Sequence, residues 1–329
     1  MKNIGSYPKV RLRRNRKTDW TRRLIRESNL SSDDLIWPIF IKEGRNIKEP
    51  IKSMPGVFRY SLDQIERLVE RAITNRIPMI ALFPNTDNSK KNEKGSEALN
   101  KNNLVCKALR LIKKNYKNIG LMCDVALDPY TSHGHDGIVK NNYVDNDKTI
   151  KILIKQSILQ AEMGCDVIAP SDMMDGRIGE IRKALDKNGH ELVQILSYAV
   201  KYASNFYGPF REAVGSKKLL KGNKKNYQMD YNNSKESLRE VALDLQEGAD
   251  FVMVKPGMPY LDIIKLIKDT YRIPVFAYQV SGEYSMIRNS INNKIFNEDI
   301  IYESLISLKR AGASAIVTYF ADEIASKLR

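Results

Sequence analysis

Short apolar runs alternate along this chain with longer amphipathic stretches. The runs occupy residues 36–41, 79–83, 120–127, 166–170, 193–199, 251–254, 275–280 and 315–319. Each is rich in β-branched or aromatic residues and too short for a typical helix, so each predicts a strand. The stretches between them carry a helical period. Over 62–72, Ile65, Leu68, Val69 and Ala72 fall on one face, and over 104–114 Val105, Leu109 and Ile112 do the same. Residues 150–163 and 237–247 follow that rule. Near-continuous apolar strands are covered on both faces, which calls for a parallel sheet with helices outside it. About eight such strand–helix units predict an α/β fold closed into a (β/α)8 TIM barrel before they predict an open sheet.

Residues 1–33 precede the first strand and cannot bury a core of their own. They include Arg11, Arg13, Arg14, Arg16, Arg22 and Arg23. We expect this segment to be an extended N-terminal arm that contacts another subunit, and residues 34–329 to form the catalytic barrel. No G-x-G-x-x-G follows the first strand, so a dinucleotide fold loses its main support. There is no P-loop and no internal repeat.

Composition narrows the function classes. The 329 residues are 42% apolar and 28% charged, which is globular rather than disordered. A net charge of +15, from 54 basic against 39 acidic residues, raises a nucleic-acid reading. Lysine is scattered with Asn and Ile over the whole chain, however, so most of the charge is compositional bias. Only 11–23 and 217–225 are locally basic. Beyond Trp20 the arm shows no aromatic platforms for bases, and no nucleic-acid partner is expected; one would reveal itself by affinity falling steeply with salt. Cys106, Cys123 and Cys165 form no C-x-x-C pair. That argues against a disulfide scaffold or a thiolate zinc cluster and fits a reducing, cytoplasmic compartment. No apolar run approaches the ~20 residues of a membrane helix, and no secretory signal opens the chain.

In a barrel, reacting groups stand at the C-terminal ends of strands. The third strand ends in Asp124, Asp128 and a loop holding His133, His135 and Asp136. The fourth ends in Ser171-Asp172, the fifth in Lys201, the sixth in Lys255-Pro256-Gly257, the seventh in Ser281 and the eighth in Tyr319. A lysine at a strand end is ordinarily a solvated charge. Lys255 differs because it directly follows Phe251-Val252-Met253-Val254, so its side chain starts inside the wall. Two ammonium groups in one dry pocket lower each other's pKa, and desolvation adds to that. A lysine near neutrality can form a Schiff base with a ketone. Asp128 and Asp136 are either turn formers or ligands for a hard cation. His133 and His135 lack metal-site partners and suit loop hydrogen bonding equally.

At these residues the chain resembles the porphobilinogen synthase, or delta-aminolevulinic acid dehydratase, family. The likeness covers nearly the whole chain. It rests on Trp37-Pro38-Ile39-Phe40, Tyr130-Thr131-Ser132-His133-Gly134-His135, Pro170-Ser171-Asp172-Met173-Met174-Asp175-Gly176, Lys201-Tyr202-Ala203-Ser204, Phe206-Tyr207-Gly208-Pro209-Phe210-Arg211 and Met253-Val254-Lys255-Pro256. The resemblance implies condensation of two 5-aminolevulinate molecules to porphobilinogen with loss of two waters, on a barrel whose arm embraces a neighbour, usually in a homo-octamer. It implies that Lys255 and Lys201 form Schiff bases and that Asp124 assists proton transfer. Ser281 and Tyr319 match the grip on one substrate carboxylate, and Arg211, Lys224 and Gln228 the grip on the other. Residues 208–229 match a mobile lid. Two departures stand out. Ala126, Asp128 and Asp136 occupy positions where some members carry zinc-binding Cys, so no zinc is expected there, and Asp oxygens favour Mg²⁺, a monovalent cation or none. Lys224 stands where many relatives carry Arg. The resemblance also implies an allosteric Mg²⁺ held by Glu240 between subunits. An aldolase-like lyase on the same barrel is the nearest alternative, but it needs only one imine lysine.

Overall fold

The computed structural model describes residues 5–215, 219–220 and 222–328. Lys217, Lys218 and Lys221 of the basic stretch, and the first four residues of the arm, lie outside the described residues. The apolar runs become β1 (Leu35–Lys42), β2 (Met79–Asn85), β3 (Gly120–Val125), β4 (Val167–Pro170), β5 (Gln194–Lys201), β6 (Phe251–Lys255), β7 (Val275–Gln279) and β8 (Ala315–Thr318). All pair in parallel in chain order. The pairs Leu35 with Ile316 and Ile36 with Val317 join β8 to β1 and close the sheet into a barrel. The helical layer comprises α1 (Ile65–Thr74), α2 (Leu104–Asn115), α3 (Asn146–Glu162), α4 (Arg177–Lys187), α5 (Glu236–Gln246), α6 (Leu261–Tyr271), α7 (Ser281–Asn292) and α8 (Asp299–Ala311).

Local chemistry sets the ends of these helices. Asn103 caps α2 by accepting from the Cys106 amide at 2.8 Å, and Asp145 caps α3 from the Lys148 amide at 3.0 Å. α8 stops at Gly312, whose φ of +118° only glycine adopts readily. On α1, Ile65, Leu68, Val69 and Ala72 are buried, the face read from the sequence. Each such fully buried large aliphatic side chain contributes about 1.5–3 kcal/mol over leaving it in water. The arm is the opposite case. Its short turns at Leu12–Arg16 and Asp19–Leu24 bury nothing, and Tyr7, Leu12, Trp20 and Leu24 are each more than 60% exposed.

One irregularity decides where the chemistry stands. On β5 and β6, Phe251 faces Leu196 and Val252 faces Ser197, but Val254 faces Val200 and Lys255 faces Lys201. β5 thus holds one extra residue, a bulge at Tyr198–Ala199. Strict alternation from an inward Tyr198 would turn Lys201 out toward the helices. The bulge shifts the phase by one and returns Lys201 to the lumen, beside Lys255.

Candidate active site

Lys255 is the last residue of β6 and points into the barrel mouth. Its Nζ lies 4.5 Å from the ring centroid of Tyr278, 5.0 Å from Tyr198, 5.3 Å from Phe210 and 5.5 Å from Tyr207. Four rings strip the amine of water, while their faces offer a charged amine partial compensation. Burial wins. Together with the charge of Lys201 it lowers the Lys255 pKa to about 7. The neighbour is held differently. Lys201 Nζ donates to the Ser171 carbonyl oxygen and lies 3.4 Å from Ser171 Oγ and 3.6 Å from Asp136 Oδ2. One lysine therefore sits among rings and the other among oxygens, although both are 6% exposed.

Asp124 stands on β3, facing the same space. Its Oδ1 is buried with no hydrogen-bond partner among the described residues. Burial, followed by repulsion from Asp128, raises its pKa to about 6. A carboxyl and an amine with midpoints close to neutrality, set in one cavity, are suited to exchanging protons with a bound molecule.

The expected cation ligands meet an ammonium group. Lys224 Nζ lies 2.6 Å from Asp136 Oδ1 and 3.4 Å from Asp128 Oδ2. Burial opposes its charge, but the two carboxylates outweigh burial and raise its pKa. Burial likewise opposes ionising Asp136, yet Lys201 and Lys224 hold its carboxyl below the usual range. Asp128 goes the other way, because burial dominates there and raises it.

Lys224 belongs to the segment 208–229, whose described residues Arg211, Lys224 and Gln228 lie at the mouth. Arg211 and Gln228, from the same segment, line the cavity with Lys224. Gln228 Nε2 lies 3.5 Å from Asp136 Oδ2. The lid is seated on the β3 loop. The Tyr227 hydroxyl accepts from the Asp136 amide at 3.4 Å and lies 3.2 Å from His135 Nδ1. Gly134, with φ of +71°, packs against the backbone of Leu220, where a Cβ would come within 3.0 Å of its nitrogen. His133 Nδ1 accepts from the His135 amide at 3.2 Å, and its Nε2 lies 3.2 Å from the Glu93 carbonyl. The two histidines thus organise the loop on which the lid rests.

In this closed arrangement the free space among Asp124, Ser171, Lys201, Arg211, Lys224 and Lys255 is about 30 Å³, room for about one water. A larger cleft, about 490 Å³, lies on the outer wall beside Trp37, Arg71 and Asp322, but it contains neither lysine. Size is therefore not what marks this site; buried charge is.

Ser281 and Tyr319 stand one layer behind the cavity. Ser281 Oγ accepts from the Phe210 amide at 2.9 Å. The Tyr319 hydroxyl is 3.0 Å from that of Tyr278, and its ring stacks on Phe40. Glu240 stands outside the lysine pocket, on α5 beside an outer cleft lined also by Asp175, Gln228, Asp230 and Glu236. Burial raises its pKa to about 7, against the pull of Arg177, with Asp244 and Asp175 adding repulsion. Among the described residues no three His, Cys, Asp or Glu side chains gather as a metal cage.

The sequence assigned no role to the ring cage of Tyr198, Tyr207, Phe210 and Tyr278, and it named Ser171 only as a strand-end residue, not as an acceptor for Lys201. Tyr198 carried a usable signal, lying three residues before Lys201 in an apolar run, but reading it required the bulge.

Buried amines beside a buried carboxyl, in a mouth that shuts out water, suit chemistry at a carbonyl carbon; the class so defined is a barrel lyase. The family described as delta-aminolevulinic acid dehydratase matches residues 9–327. The chain is 58% identical to the delta-aminolevulinic acid dehydratase of Bradyrhizobium diazoefficiens, over 97% of this chain and 91% of that protein. It is 49% identical to that of Methanothermus sociabilis, over 98% and 99%. Among solved structures it is similar to the enzyme of Toxoplasma gondii ME49 bound to its product porphobilinogen, at TM-score 0.95 and 42% identity, over 97% of this chain and 91% of that one. The chain belongs to the delta-aminolevulinic acid dehydratase family. Its activity is that of a lyase, a porphobilinogen synthase. No helix among the described residues is long and apolar enough to cross a membrane.

Proposed function

We propose that the chain condenses two molecules of 5-aminolevulinate to porphobilinogen, releasing two waters, with imines at both Lys255 and Lys201. The observation that carries this is the register pair of the two lysines, one of them brought to a pKa of about 7. A neutral amine attacks the ketone carbon, and the imine formed is a better electron sink than the ketone, so the adjacent carbon becomes acidic. Lys255 takes the substrate that supplies the propionate side, and Lys201 takes the second. Asp124, between the two, moves protons at those carbons. Arg211, Lys224 and Gln228 receive the carboxylate of the second substrate, and Ser281 and Tyr319 that of the first. The lid must open to admit either, since a ligand site commonly needs ~300 Å³ or more, and its closure then excludes water from a dehydration.

Lys224 has two anionic partners in this scheme. It rests between Asp128 and Asp136 and transfers to the incoming carboxylate. While it rests there, its ammonium already neutralises the pair and leaves no place for a resident cation; a monovalent cation would enter only as Lys224 leaves. Zinc is not required at this pair, because oxygen donors replace thiolates. Mg²⁺ fits Glu240 better. That carboxylate is half-buried among Asp175, Glu236 and Asp244, a concentration of negative charge that a hard cation relieves. Mg²⁺ there would neutralise the cluster and act on assembly, outside the chemistry. The exposed apolar residues of the arm support a contact with a neighbouring subunit in a homo-octamer, and the reduced cysteines support a cytoplasmic setting.

The test is to incubate the protein with 5-aminolevulinate, reduce with borohydride, and map adducts by mass spectrometry. Label is expected at Lys255 and, under turnover, at Lys201. Label at neither lysine, with no pyrrole formed, would overturn the reading.

A further inference from the structure

Glu283 is a buried carboxylate that no step above uses. It is the third residue of α7 and 3% exposed. Its Oε2 accepts from the Val280 amide at 2.7 Å and the Gly257 amide at 3.3 Å, and its Oε1 from the Met258 amide at 2.5 Å. Burial raises its pKa to about 7, against these three bonds. A buried carboxylate that meets backbone amides and, among the described residues, no ion pair is costly to keep.

Helix capping does not account for it. The bond to Val280 alone ties the first turn of α7. The other two cross to a different loop, the turn that follows Lys255. That turn has little slack, since a Cβ on Gly257 would lie 3.1 Å from the Tyr278 carbonyl oxygen. The start of α7 is equally confined. A Cβ on Gly282 would lie 2.5 Å from the Phe206 carbonyl oxygen, and Ser281 Oγ accepts from the Phe210 amide at 2.9 Å. Phe210 in turn supplies a ring 5.3 Å from Lys255 Nζ, and the Tyr207 hydroxyl donates to the Lys255 carbonyl at 3.1 Å. A closed circuit runs from Lys255 through its turn to Glu283, along the start of α7 to Ser281, and back through Phe210 to the Lys255 amine.

We propose that Glu283 is a positioning residue for this reaction: its carboxylate ties the turn after Lys255 to the start of α7, and so fixes the amine and its ring cage relative to Ser281. The proposal rests on the reading of Lys255 as an imine-forming residue. It makes the two loops a single unit, in which the amine's burial and the place of the substrate carboxylate are set together.

Two variants test it. Glu283→Asp keeps a charge able to cap α7 but falls one methylene short of Gly257 and Met258. Glu283→Gln keeps the length but puts an amide NH₂ where an acceptor is needed. The measured quantities are kcat, KM, the melting temperature and the pH midpoint for borohydride trapping of the 5-aminolevulinate adduct at Lys255. With the turn loosened and Lys255 better hydrated, the trapping midpoint is expected to rise by about one pH unit. KM should rise and kcat fall, each by about tenfold, from the lost alignment. Glu283→Asp should show these changes while melting within a few degrees of the parent. Parent-like midpoint, kcat and KM in Glu283→Asp would overturn the proposal, leaving Glu283 a helix cap. The same holds for Glu283→Gln if it folds, and Glu283→Asp decides alone if it does not. A parent that yields no Lys255 adduct overturns the imine reading, and this proposal with it. A parent that is labelled beside variants that behave like it overturns this proposal alone.

Discussion

At the scale of single residues, the site is a contest between burial and charge, with a different winner at each group. Burial prevails at Lys255, which has rings for neighbours, and at Asp124, which has an unsatisfied oxygen. Charge prevails at Asp136 and Lys224, which have each other. The consequence for stability follows from linkage. Lys255 has a folded pKa of about 7, below that of an unfolded lysine. Between those values the unfolded chain binds the extra proton, so stability rises with pH through that window. The penalty is complete below about pH 7 and gone above the ordinary lysine pKa. Lys255→Met is therefore expected to be inactive yet more stable than the parent at pH 6–7, by an order of a few kcal/mol, with the gap closing toward pH 10. Chemical denaturation of both proteins across that range measures it; a gap independent of pH would show that Lys255 is not neutral in the fold. The sequence placed this residue at a strand end within an apolar wall, which was enough to name it. It did not show the rings gathering round the amine, which come from β5, β7, the turn that ends at Tyr207 and the lid residue Phe210.

At the scale of elements, the apolar runs and the strands agree to within two residues at every end. β5 is where that margin matters. Its apolar run ends at residue 199, but the strand continues to Lys201, because the bulge lets two more residues pair with β6. This gives a test of phase. Deleting Ala199 removes the extra residue and leaves Lys201 facing the lumen. Deleting both Ala199 and Val200 removes one residue more and turns Lys201 toward the helices. After 5-aminolevulinate and borohydride, the single deletion should retain the Lys201 adduct and the double deletion should lose it, while both keep label at Lys255. Equal labelling of Lys201 in the two variants would mean that alternation along β5 does not set its direction. The alternation of apolar and polar residues cannot reveal such a bulge, since every residue from 195 to 201 is buried and burial on both faces erases the period.

At the scale of the whole molecule, Glu240 stands beside an outer cleft that contains neither lysine, and the short turns of the arm bury nothing; the proposed assembly would run through these two features. The expected outcome of Glu240→Ala is loss of the Mg²⁺ response, in activity and in sedimentation velocity, with labelling of Lys255 intact. A variant that still responds to Mg²⁺ in sedimentation would move the cation elsewhere. The sequence by itself determined the barrel and the family, and it named the arm and the two lysines for which imine roles are proposed. These are legible because burial periodicity and strand-end position are local properties of the chain. Tertiary structure alone decided that Lys201 and Lys255 are cross-strand neighbours, that Lys224 rests between Asp128 and Asp136, and that Glu283 joins two loops. Each of these depends on groups distant in sequence meeting in low dielectric, where a single bulge or one buried carboxylate sets distance and charge together.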